Sequence, residues 1–223
     1  EEGVQRNFEI KDWRKEALSA YRKALRKDPD HTAVYFYQGL TYLSALDLEA
    51  ARQSFTYVLE QNRGPLIEKA MAEVEKIQMI QRAAPGSEIG LKIALVPQIS
   101  RAELAVLLLE ELKLVDLVRQ RPGWGGQNGF RTPQQGKNDN PAPVATDIAH
   151  SWAQPWIEEV LALGIAGLEV FPDHTFQPEK PLTRANYALA NQGVLMLLTG
   201  DSSLATKYIG EPSRFPDVRS DFY

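Results

Sequence analysis

Apolar residues recur at helical spacing through the first third of the chain. Over residues 12–29, Ala17, Tyr21 and Ala24 fall at i, i+4 and i+7, the single buried stripe of an amphipathic helix, and Pro29 stops it. The stripe returns 34 residues later, with Ala51, Phe55 and Val58 in the same places. Between the two lies another helical stretch carrying Tyr35, Gly39 and Tyr42, and the turn Ala45-Leu46-Asp47-Leu48 closes a helical hairpin. The small Gly39 and Ala51 permit close helix–helix approach. Residues 66–83 predict one more helix, with Ile67, Ala70, Met71, Val74, Ile77 and Ile80 as its apolar face.

A second repeated element has a different period. Ile99-Ser100-Arg101-Ala102 and Leu182-Thr183-Arg184-Ala185 are parallel segments 83 residues apart. Ser100 and Thr183 are N-cap types, and Ser100 with Glu103 forms a capping box. Each Arg then stands in a first helical turn, where a cation opposes the helix dipole and needs a compensating role. Two roles are open. The guanidinium, together with free backbone N–H groups, makes an anion site for a carboxylate or phosphate. Alternatively, it bridges to an acidic side chain of a neighbouring repeat and holds the structure together. Ahead of Arg184 runs Phe171-Pro172-Asp173-His174-Thr175-Phe176-Gln177-Pro178, a Pro-containing turn with two Phe anchors. His174 stands where such a turn favours Gly, so it either takes a left-handed conformation or reshapes the turn.

Composition narrows the function. Residues 1–84 carry 13 basic and 13 acidic side chains, residues 85–223 carry 12 and 16, and the net charge is −4. A nucleic-acid binder needs a basic face; the one basic run, Arg22, Lys23, Arg26 and Lys27, is read as a solvated helix face near its C-terminal end. There is no Cys, hence no disulfide or thiolate metal site. The most apolar run, Leu104 to Val118, is broken by Glu110, Glu111, Lys113 and Asp116 and falls short of the roughly 20 residues of a membrane span. Glu1 in place of Met predicts a processed protein or a fragment. No nucleophile elbow, phosphate loop or His cluster is present, so no enzyme activity, metal or cofactor is expected.

The 34-residue period resembles the tetratricopeptide (TPR) repeat, with Tyr35, Gly39 and Tyr42 in its first helix and Ala51, Phe55 and Val58 in its second. Gln38 and Arg63 depart from that pattern. The resemblance implies helical hairpins over residues 1–84 and a protein-binding surface at Phe36, Leu40 and Leu43, residues that otherwise simply pack on a neighbouring helix.

Asp147, His150, Trp152-Ala153, Ile157, Leu161, Gly164-Ile165 and Gly167, followed by Phe171 to Ala185, resemble the S-layer homology (SLH) repeat. Ala145, His174 and Asn186 replace its usual Phe, Gly and Glu. The copies implied are a degenerate one over 85–118, the best one over 145–200 and the start of another over 215–223. An insertion over 119–144 either docks a partner through Trp124 and Phe130 or drapes over the surface; its Asn138-Asp139-Asn140 lacks the closing Glu of a calcium loop.

The expected fold is therefore mostly α, with TPR-like hairpins followed by SLH-like helix-loop-helix repeats around a helical bundle. The resemblance further implies an exported, non-enzymatic protein of the bacterial envelope, periplasmic or at the cell surface. Its SLH-like half would hold peptidoglycan-linked polysaccharide through Arg101, Arg184, Asp147, Trp152 and Asp217. Its TPR-like half would recruit another envelope protein. The alternative is a structural subunit or scaffold of an envelope assembly, a homo-oligomer or larger, making protein contacts only. A cytoplasmic adaptor is the third reading.

Overall fold

A computed structural model of the protein describes residues 12–62, 64–120 and 144–207. The described residues are mostly helical and include no β-strand. The chain forms two compact units, Glu1–Leu95 and Val96–Tyr223.

The first unit holds α1 (Trp13–Lys27), α2 (Thr32–Ser44), α3 (Leu48–Glu60), α4 (Ile67–Ala83) and α5 (Glu88–Ala94). α2 and α3 form the expected hairpin. Leu46 turns the chain at φ 59°, and Asp47 caps α3 by accepting from the Ala50 N–H at 3.2 Å. The same Asp47 carboxylate takes Arg14 of α1 at 2.6 Å, and the Tyr21 and Thr41 hydroxyls meet at 3.1 Å. Ala51, Phe55 and Val58 are fully buried, because α3 packs against both α2 and α4. The corresponding Ala17, Tyr21 and Ala24 of α1 are only half-buried; among the described helices α1 packs on α2.

Gly39 is needed where it stands. A Cβ there would lie 2.7 Å from the Phe55 ring. On α4, Ala70, Ile77 and Ile80 are buried as the period requires, while Met71 is 48% exposed, one position off the stripe. α5 was not foreseen. Leu95 packs on the first core, and the first unit ends at this residue.

The second unit holds α6 (Arg101–Glu110), α7 (Leu114–Arg119), α8 (Gln154–Leu163), α9 (Arg184–Thr199) and a 3₁₀ turn, Ser202–Ala205. α6 is buried on nearly every side, seven of its ten residues, which makes it the central helix. It packs against α7 and α8, and α7 packs against α9. Gly164 ends α8 in the left-handed region at φ 66°. The following loop presses on α9 through a pair of glycines: a Cβ on Gly167 (φ 82°) would meet the Asn186 carbonyl at 2.9 Å, and one on Gly193 would meet the Ala166 N at 2.7 Å.

Candidate functional site

The two repeated helix starts lie side by side. Ser100 and Pro181 form an isolated antiparallel bridge, and the Leu182 N–H donates to the Ile99 carbonyl at 2.9 Å. Both predicted caps form. The Ser100 hydroxyl accepts from the Glu103 N–H at 3.2 Å while the Glu103 carboxylate accepts from the Ser100 N–H at 2.7 Å. The Thr183 hydroxyl accepts from the Asn186 N–H at 3.1 Å.

The two arginines behind these caps differ sharply. Arg101 is 3% exposed. Its Nε donates to the Phe176 carbonyl at 2.8 Å, Nη1 to the Gly167 carbonyl at 2.7 Å and Nη2 to the Glu169 carbonyl at 2.7 Å. The rings of Phe171 and Phe176 each lie 4.6 Å from its guanidinium carbon. Burial pushes its pKa down, and the Glu169 and Asp147 carboxylates push it back up. The guanidinium stays charged, as arginine does in proteins. Arg184, by contrast, is exposed, with no such enclosure among the described residues.

The loop around Arg101 is braced from its other side. Asp147 accepts from the Phe176 N–H at 2.7 Å and from the Gln177 N–H at 2.8 Å, one bond to each carboxylate oxygen. His174 takes the left-handed conformation at φ 61°, and its N–H closes a turn to the Phe171 carbonyl at 2.9 Å. Asp173 accepts from both the hydroxyl and the N–H of Thr175, at 2.7 and 3.0 Å; these bonds hold its carboxyl below the usual carboxylate range. Gln177 also takes a positive φ, 56°.

Arg101 and Asp147 were expected at a glycan surface; Arg101 is buried, while Asp147 is exposed with its carboxylate taken up by two main-chain N–H groups. Main-chain carbonyls surround the guanidinium in place of the expected acidic partner. Residue types do not announce such acceptors; the spacing of Phe171 and Phe176 was the available signal. Trp152 is 49% exposed, as a ligand platform needs. Its neighbour Trp156, not foreseen although it lies one helical turn on, has its ring 6.2 Å away and donates from Nε1 to the Glu110 carboxylate at 2.8 Å. That bond, and a second from Lys113, hold the Glu110 carboxyl below its ordinary range. Asp217 and Trp124 lie outside the described residues.

In the first unit Phe36 (6% exposed) and Leu43 (8%) belong to the core around Phe55, and Leu40 is partly buried against it. The three residues expected as a protein-binding surface thus lie in or against the core, where the Phe36 ring meets that of Phe55 at 5.5 Å. An open cleft of about 300 Å³ lies elsewhere, between α1 and α2, lined by Asp12, Arg14, Lys15, Leu18, Arg22, Gln38 and Tyr42. Three of its lining side chains are cationic and one is acidic. No group of three or more His, Asp or Glu among the described residues is placed to hold a metal ion. Compared with protein-family models, with curated proteins and with solved structures, the chain matches none of them.

Proposed function

We propose that the chain is a non-enzymatic protein of the bacterial envelope, with one unit directed at the cell wall and the other at a protein partner. The observation that carries this reading is the pairing of two capped Arg-bearing helix starts by the 99–100/181–182 bridge, which makes the repeated element a structural unit. Within it, Trp152 and Arg184 are the residues free to meet an acidic wall polymer. The cation-lined cleft between α1 and α2 suits an acidic segment of a partner. Sedimentation with purified sacculi tests the wall reading. Binding should fall in Trp152→Ala and in Arg184→Ala; a chain that stays in the supernatant, or variants that bind as well as the parent, would refute it.

A second reading is favoured by the enclosure of Arg101. An Arg committed to three carbonyls and two rings is a strut between repeats. On this reading the chain is a scaffold subunit of an envelope assembly and makes protein contacts only. It predicts a stable complex without glycan, visible by light scattering or native mass.

A further inference from the structure

The cations that line the α1–α2 cleft differ in what already holds them. Arg14, Leu18 and Arg22 stand at i, i+4 and i+8, one row along α1, and Gln38 and Tyr42, one turn apart on α2, form the other wall. Arg14 is engaged: its Nη2 donates to the Asp47 carboxylate at 2.6 Å, and its guanidinium carbon lies 5.5 Å from the centre of the Tyr42 ring. Lys15 meets Asp12 only at 3.9 Å, with both side chains largely exposed, a pair of little strength. Arg22 has no partner among the described residues. The other cations of its run, Lys23, Arg26 and Lys27, do not line the cleft. Gln38 donates from Nε2 to the Tyr42 hydroxyl at 3.4 Å, which leaves the hydroxyl proton and the Gln38 amide oxygen without a partner among the described residues.

We propose that this cleft takes an extended acidic segment of a partner protein in which one apolar residue stands between two carboxylates. Arg14 and Arg22 are about 12 Å apart along α1 at 1.5 Å per residue, and four residues of extended chain cover about 13 Å. The spacing acid-x-apolar-x-acid therefore sets one carboxylate at Arg22 and the other at the Arg14–Lys15 end. The apolar side chain falls on Leu18, midway between them. Gln38 and Tyr42 then serve the main chain, since an amide and a hydroxyl both donate and accept. Charge argues the same way: the wall carries Arg14, Lys15 and Arg22 against the single Asp12, an excess that attracts carboxylates. Three cations, one of them already spent on Asp47, are too few for a polyanion held by many phosphates. Leu18 and the Tyr42 ring also give such a polymer nothing to pack on. The inference deepens the partner reading of the first unit and rests on it.

A fluorescently labelled peptide, Gly-Ser-Glu-Ser-Leu-Ser-Glu-Ser-Gly, titrated against the whole chain and followed by anisotropy, tests this directly. We expect saturation below about 1 mM. Arg22→Ala should weaken binding about fivefold, and a peptide with Ser in place of Leu should bind about fivefold more weakly or worse. Lys23→Ala, beside Arg22 but off the cleft wall, should leave binding unchanged. Arg22→Glu should bind the parent peptide least and regain binding to a peptide with Lys in place of one Glu, a rescue that damage to the fold cannot produce. Equal binding of the Ser-substituted peptide overturns the inference and leaves a merely acidic partner standing. Indifference to Arg22→Ala overturns it by moving the binding off the cleft. If neither peptide saturates, or polyphosphate displaces both at lower concentration, the partner reading of the cleft falls with it.

Discussion

The helices that begin at Arg101 and Arg184 start alike and end in opposite circumstances. Each has a hydroxyl cap, a first-turn Arg and an Ala behind it. One Arg is 3% exposed, wrapped by a loop more than 60 residues away in sequence; the other stands open. Local sequence thus decides where each helix begins and what its first turn offers. It does not decide what arrives to meet that turn. The arrival is a long-range event of the loop carrying Gly167, Phe171 and Phe176, which Asp147 pins at Phe176 and Gln177.

Breaking that arrival should separate the two helix starts. The largest effect is expected from Arg101→Ala, which strips the donors from three carbonyls and unstacks two rings. Each buried carbonyl left without its donor costs about 1–3 kcal/mol, read as a lowered urea midpoint. Gly167→Ala comes next. It forces a Cβ against the Asn186 carbonyl at a left-handed φ, and each of those faults costs about 1–3 kcal/mol. Asp147→Ala leaves the Phe176 and Gln177 N–H groups unpaired, about 1–3 kcal/mol in the same assay. Arg184→Ala should fall within about 0.5 kcal/mol of the parent, because it removes no enclosed contact.

The smallest effect is on pH dependence. Asp173 has its folded pKa lowered by Thr175, so its contribution is present above the unfolded value of about 3.9 and is lost as pH falls through the folded value. Asp173→Asn should lower stability slightly at neutral pH and leave it unchanged below the folded value, so the acid limb of the stability curve flattens. A variant that loses more stability relative to the parent in acid than at neutral pH would contradict that sign.

Much of the fold was legible because periodicity and caps are local signals. Ala51, Phe55 and Val58 are buried where the 34-residue period put them, and the Ser100–Glu103 capping box forms from its spacing alone. His174 takes one of the two conformations its position allowed. The rest depended on partners that residue types do not reveal. Arg101 was read either as an anion-binding cation or as a bridge to an acidic side chain; nothing in its neighbourhood says that distant main-chain carbonyls will enclose it. Phe36, Leu40 and Leu43 were read either as a binding groove or as packing on a neighbouring helix, and apolar residue types do not separate the two; here Phe36 and Leu43 lie in the core and Leu40 against it. α5 was missed because seven residues are too few to show a period.

The central claim, that Arg101 is an internal strut and Arg184 an open one, is tested most directly by side-chain ¹H–¹⁵N spectra of the arginine Nε groups in the unmodified chain. We expect the Arg101 Nε–H as a dispersed resonance that exchanges slowly with water, and the Arg184 Nε–H as a solvent-averaged one. Equal, fast exchange at both sites would show that the loop does not enclose Arg101 in solution and would contradict the account.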